Sequence, residues 1–222
     1  MKRIALLLIA LFLLSGCSMF KPSQTTVVLS PRLPDFDHNN FAIIPFADKR
    51  SAERDNFGFS VPEVVADAFE TAFAKSGYTI VERDLIETAL EGMEFSYMGH
   101  IDDAQLKQIG ELTGASVIVL GRVRDFKKAK YERVKGKMKT VSCTTLSYSV
   151  KAIHVETGEI MWKGAITRSS GFKDDMFAPC DCNGVRFAER TSKTLVKKIL
   201  SQTDSALKKE SGEYDMFPSL GD

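Results

Sequence analysis

The chain has 222 residues, 44% of them hydrophobic, with 30 basic against 29 acidic side chains for a formal charge of +1. That length suits one domain with tails and is long enough to bury a substantial core. A near-neutral total gives no global argument for a nucleic-acid or membrane-surface partner.

Lys2 and Arg3 precede an unbroken apolar run over 4–14. A bilayer-spanning helix takes about 20 residues, so the run reads as a secretory signal and is set aside from the fold. It closes on Leu14-Ser15-Gly16-Cys17, which resembles a bacterial lipobox. The reading is a signal peptide over 1–16, cleaved ahead of a diacylated Cys17. Several acyl chains anchor stably where one does not. Ser18 in place of Asp resembles an outer-membrane sorting signal. Residues 17–39 then read as lipid anchor and extended tether, with Pro22, Pro31 and Pro34 and a short strand over 25–29 that can pair with the domain. At full extension residues 18–39 reach at most about 70 Å.

Phe41 to Phe46 is an apolar run that fits a buried strand, with Pro45 at its end. A polar loop over 48–59 leads to Ser60 and Glu63, spaced as a capping box. Val61, Val64, Val65, Ala68, Phe69, Ala72 and Phe73 then recur at helical spacing until Gly77. A strand over 78–81 and a helix over 84–90, closed by Gly92, follow. Met93, Phe95, Tyr97 and Met98 lie in an irregular loop, as tucked core or as an exposed partner patch. Asp102 and Gln105 cap a third helix carrying Leu106, Ile109 and Leu112, stopped by Gly114.

Residues 115–120 give the strongest strand signal, a run apolar on both faces. Leu146, Tyr148, Val150 and Ala152 alternate within 140–155. Thr157-Gly158 marks a hairpin turn into a strand with Ile160, Trp162 and Ile166. A loop over 172–183 precedes a long helix over 185–207 with Ala188, Leu195, Val196, Ile199 and Leu200 inward. Residues 211–222 form a polar tail. The expected architecture is one α/β domain over 40–210, a mixed sheet of about five strands flanked by helices.

Chemistry-bearing groups are sparse. Cys143, Cys180 and Cys182 remain beside the lipidated cysteine, in a compartment that permits disulfides. Three thiols leave one over, so Cys143 with Cys180, Cys143 with Cys182, and free thiols all stay open. Cys180-Asp181-Cys182 offers metal ligands, but structural zinc takes four and His38, His100 and His154 are scattered. The carboxylate clusters at 102–103, 174–175 and 82–84 read as caps, loops and strand ends, and His154 as packed on a strand. No catalytic residue, metal or cofactor is expected.

The conspicuous segment is 124–139. Arg124, Lys127, Lys128, Lys130, Arg133, Lys135, Lys137 and Lys139 stand against only Asp125 and Glu132. Such a cluster fits a solvated edge hairpin, whose lysines block sheet aggregation. It also fits a patch in which Lys127, Lys128, Lys130, Arg133, Lys135 and Lys137 steer an anionic partner.

Six pieces occur in a telling order: 41–46, the amphipathic helix, 78–83 (Tyr-Thr-Ile-Val-Glu-Arg), 108–115 (Gln-Ile-Gly-Glu-Leu-Thr-Gly-Ala), 117–121 (Val-Ile-Val-Leu-Gly) and 156–160 (Glu-Thr-Gly-Glu-Ile). The set resembles the curli secretion channel (CsgG-like) superfamily over about 41–171. Its relatives include penicillin-binding-protein activator lipoproteins and the amino-terminal domain of the Tol translocation protein. The resemblance implies a lipid-anchored periplasmic α/β domain that works by assembly or protein binding.

The channel branch adds two amphipathic hairpins per subunit, and 122–150 and 168–183 are the matching positions. A membrane strand alternates apolar and polar over about 9–11 residues. From Arg122 one face reads Arg122, Arg124, Phe126, Lys128, Lys130, Glu132, and the other Val123, Asp125, Lys127, Ala129, Tyr131, Arg133. Neither is apolar, so this segment is not expected to cross a bilayer. The expected function is therefore a non-enzymatic assembly or protein-binding lipoprotein on the periplasmic face of the outer membrane. Its partners are membrane lipid through acylated Cys17 and an envelope protein or a second copy of itself, with no nucleic acid. The alternatives are a ring-forming channel component and an activator of a peptidoglycan synthase.

Overall fold

The computed structural model describes residues 23–36, 39–49, 59–91, 101–134, 136–171 and 183–210. Its centre is a mixed seven-stranded sheet. The strands are β1 (Gln24–Leu29), β2 (Asn40–Ile43), β3 (Ala47–Asp48), β4 (Thr79–Ile80), β5 (Val117–Lys127), β8 (Thr145–His154) and β9 (Ile160–Ser169). They lie in the order β1-β9-β8-β5-β2-β4, with β3 also on β5. β2 runs parallel to β4 and β5, while β5, β8, β9 and β1 alternate antiparallel.

Two strands account for the excess over five. The tether segment pairs along its length, from Gln24 opposite Thr167 to Leu29 opposite Trp162, so β1 closes one edge. The apolar run at 41–46 is interrupted ahead of Phe46: Pro45 donates no ladder bond, β2 ends at Ile43, and the chain resumes on β5 as β3. β6 (Lys130–Val134) and β7 (Lys137–Ser142) form a separate two-stranded sheet between β5 and β8, turning at Gly136 with φ +78°.

Four helices pack on this sheet: α1 (Val61–Lys75), α2 (Arg83–Leu90), α3 (Asp103–Thr113) and α4 (Gly184–Glu210). Ser60 caps α1 by accepting from the Glu63 N–H. Asp102 and Gln105 complete a reciprocal capping box on α3, and Gly114 ends it in the left-handed region. The inward stripe of α3 is Leu106, Ile109 and Thr113; Leu112, expected inward, is 54% exposed. One turn of drift at 3.6 residues per turn carries position 112 past the edge of the buried face.

α1 and α4 cover one face of the sheet over the larger core. Phe69, Phe73, Tyr148 and Trp162 form its aromatic centre, with Phe73 stacked on Trp162 at 6.1 Å between centroids. α2 and α3 lie on the other face over a smaller cluster that includes Ile44, Ile86, Ile109, Ile118 and Ile153. Arg83 holds the two layers together around β4, bonding Asp67 (2.7 Å) and Glu70 of α1. Desolvation pulls the Arg83 pKa down, but the bonds and charges of Glu70 and Asp67 outweigh it and the net shift is upward. The second helical layer is narrow. On β1, β9 and the hairpin end of β8, the same face carries Thr26, Val28, Ser149, Lys151, Lys163 and Thr167, none of them buried.

Candidate functional site

The basic hairpin comes first. β6 and β7 pair from Val134 opposite Lys137 to Tyr131 opposite Thr140, with an irregularity before Lys130. Successive residues of a strand alternate faces, so Tyr131 and Arg133 share one face of β6 and Glu132 takes the other. Lys127, Lys130, Arg133 and Lys137 are exposed. Lys127 lies 3.7 Å from Asp125, and both are largely solvated. Lys128 differs: it is half-buried, with its ammonium 5.9 Å from the Phe59 ring centre. Lys135 lies outside the described residues, as do Cys17, Cys180, Cys182 and the aromatic loop at 93–98. At five and six residues, β6 and β7 are each shorter than the 9–11 of a membrane-spanning strand.

A second basic surface lies on the open sheet face, and the sequence reading missed it. Four neighbouring strands form a shallow groove of about 370 Å³ whose floor carries Arg122, Arg124, Lys151 and Lys163, with Thr26 and Ser149 between them. The register explains the convergence. Lys151 on β8 is directly opposite Lys163 on β9, Lys163 is opposite Val28 on β1, and Arg122 on β5 is opposite Ser149. An irregularity between Val123 and Asp125 leaves Arg124 without a cross-strand partner and lets it line the groove. Among the described residues no carboxylate lines it. Burial lowers the Lys151 pKa below its ordinary value, and repulsion from Lys163 and then Arg122 lowers it further. Only β-register joins these cations across β5, β8 and β9, from positions 122, 124, 151 and 163 of the sequence.

The remaining candidates have structural roles. His154 is buried, stacked on Phe36 at 5.0 Å, with Nδ1 3.1 Å from the Thr157 hydroxyl. It holds the β8–β9 turn. Asp102 is a helix cap. Cys143 is buried and disulfide-bonded; the other cysteines, at 17, 180 and 182, all lie outside the described residues. Among the described residues no group of His, Cys, Asp and Glu could hold a metal ion, and no helix is long and apolar enough to cross a membrane.

A family model described as the curli production assembly/transport component CsgG matches residues 45–170. No curated protein sequence matches the chain significantly. Solved structures with a similar fold include a PelC dodecamer from Paraburkholderia phytofirmans, at 14% identity and a TM-score of 0.41 over 80% of this chain and 98% of that one. Lipoprotein GNA1162 from Neisseria meningitidis aligns at 12% identity and a TM-score of 0.46, over 77% of this chain and 99% of that one. The LpoB C-terminal domain from Salmonella enterica aligns at 13% and 0.40, over 63% and 95%. With more than half its length matched by the family model, running from the end of β2 through β9, the chain belongs to the CsgG family.

Proposed function

We propose that this protein is a lipoprotein held at the periplasmic face of the outer membrane by an acylated Cys17, where it serves as a non-enzymatic assembly and protein-binding module. The hairpin side chains Lys127, Lys128, Lys130, Arg133, Lys135 and Lys137 capture an acidic segment of an envelope protein or of a second copy. One observation carries this reading: β6 and β7 stand apart from the main sheet, with the cations of Lys127, Lys130, Arg133 and Lys137 in solvent. Exposed cations of one sign raise encounter rates with acidic partners and do so less at high salt. Cys143 pairs with Cys180 or Cys182.

The linker is short in this reading. Because β1 begins at Gln24, only residues 18–23 separate Cys17 from the sheet. Seven peptide steps span at most about 23 Å, against about 70 Å for the whole of 18–39. That argues against activation of a synthase rooted in the inner membrane and favours a partner close to the outer membrane.

The test is in-cell cross-linking of the wild type beside a Lys127→Glu, Lys130→Glu, Lys137→Glu variant, with folding checked by circular dichroism. The expected result is one cross-linked species that falls at least tenfold in the variant and that 0.5 M salt suppresses in extracts. Equal yields from both proteins at low salt reduce the hairpin to a solubility device.

A further inference from the structure

The groove on the open sheet face is a different surface from the hairpin, and its chemistry is more specific. Lys151 and Lys163 face each other across adjacent strands, where side-chain origins lie about 5 Å apart. Arg122 is the diagonal neighbour of Lys151, at about 7–8 Å by the same geometry. Like charges so placed repel, and Lys151 is half-buried as well. An anion seated between Lys151 and Lys163 offsets their repulsion, with the Arg122 guanidinium beside it and the Ser149 and Thr26 hydroxyls available as donors to its oxygens.

The position of the groove identifies the anion. β1 forms the outer edge of the same face, and the chain arrives at Gln24 in a row with Thr167, Ser147 and Asp125. Arg122 and Ser149 lie roughly 7 Å up the strands from that row, and Lys151 and Lys163 about 13 Å, at 3.3 Å per residue. The linker adds at most about 23 Å. The groove thereby comes within reach of the leaflet that carries the anchor, where lipid phosphates are the abundant anions. Tethering makes even a weak affinity effective, because the second contact is intramolecular.

We infer that this groove binds the headgroup of an anionic phospholipid from the anchoring leaflet, with the phosphate between Lys151 and Lys163 and flanked by Arg122. The inference rests on the acylation of Cys17. It gives the domain a fixed orientation: open sheet face toward the membrane, α1 and α4 away from it.

The test uses the full acylated protein in vesicles. An uncharged amine-acetylating reagent is applied and lysine modification is followed by mass spectrometry. Lys75 and Lys197, exposed on α1 and α4 on the opposite side of the sheet, are the internal standards. In vesicles with about one-third phosphatidylglycerol, Lys151 and Lys163 should react about fivefold more slowly, relative to the standards, than in pure phosphatidylcholine; a lysine beside an anionic surface gains roughly that factor in binding. Salt at 0.5 M should abolish the difference. In a Lys163→Gln variant, Lys151 should lose most of its protection. Equal rates in the two vesicle types overturn the inference. Equal protection by inorganic phosphate in phosphatidylcholine vesicles, at matched ionic strength, also overturns it and assigns the groove to a free phosphate. If the intact mass lacks the acyl chains, the anchoring reading fails and takes the headgroup site with it; acylated protein with unprotected lysines fails the headgroup site alone.

Discussion

Replacing Lys163 with Glu should stabilise the fold. Lys163 is exposed on β9 directly opposite half-buried Lys151 on β8. Like charges in that relation destabilise by up to about 1 kcal/mol, and an opposite pair stabilises by a similar amount. Solvent screening of the exposed partner trims the sum, so a net gain of about 1 kcal/mol is the working figure. For a domain of 150–250 residues that corresponds to about 2–4 °C in the thermal midpoint. The assay is circular dichroism melting at pH 7 in about 20 mM and 0.5 M salt, where the gain should shrink as the Debye length contracts to a few ångströms. A pH series adds a second check. The folded-state pKa of Lys151 is lowered, so between it and the ordinary value of 10.5 the unfolded chain binds more protons than the folded one. Stability from this group therefore rises with pH through that window, and the penalty is fully present below it. In the Glu variant the rise should be smaller, with the burial contribution left. An unchanged or lower midpoint at low salt would refute the electrostatic account of this face.

Other outcomes follow from single contacts. A Cβ at Gly121 would lie 2.2 Å from the Phe46 ring, so Gly121→Ala should cost about 1–3 kcal/mol in urea unfolding, whereas a change below 0.5 kcal/mol would mean the ring shifts freely. The buried Tyr148 hydroxyl comes near Ser192 Oγ, yet neither atom makes a geometrically sound hydrogen bond among the described residues. Tyr148→Phe should accordingly be neutral or stabilising by up to about 1 kcal/mol, and a loss above 2 kcal/mol would reveal a bonded hydroxyl. Joining Cys143 to Cys180 or Cys182 closes a loop worth about 3–4 kcal/mol by chain entropy; reduction should then lower the midpoint by about 6–16 °C, and a fall under 2 °C would speak against either pairing. Cys17→Ser should leave the membrane fraction, and retention after a salt wash would point to a protein receptor.

The helices and the central strands were legible because their signals are local. The α1 stripe, the α3 capping box and the run at 115–120 each set an element from neighbouring residues alone. Leu112 was misplaced because three inward positions do not fix how wide a buried stripe is. β3 was missed because it lies just beyond the apolar run, at Ala47–Asp48, where the sequence already turns polar and Pro45 marks the end of a strand. The basic hairpin was visible as composition, though not the shielding of Lys128 by Phe59, which arrives from a distant loop. The groove was invisible for a stronger reason. Arg122, Lys151 and Lys163 each look like an ordinary solvent-facing residue of an alternating strand. Only the register of β5, β8 and β9 brings them together, and a one-residue slip would have sent Lys151 to the opposite face.

That register bears on what the open face is for. A sheet face left in water is ordinarily lined with hydroxyls and mixed charges, as at Ser147 and Thr167, whose side-chain oxygens bond at 2.9 Å. Three to four residues further along, the same face changes to cations, with no carboxylate among the described residues that line the groove. Solubility does not require that arrangement, because a single Glu at 163 would provide charge and relieve repulsion at once. A like-charged cross-strand pair such as Lys151 and Lys163 breaks a local rule, and such breaks are expected where function supplies the compensation from outside. The stabilising substitution at Lys163 should therefore also be the one that disarms the groove, and a variant that melts higher while losing headgroup protection at Lys151 would tie the two observations to one cause.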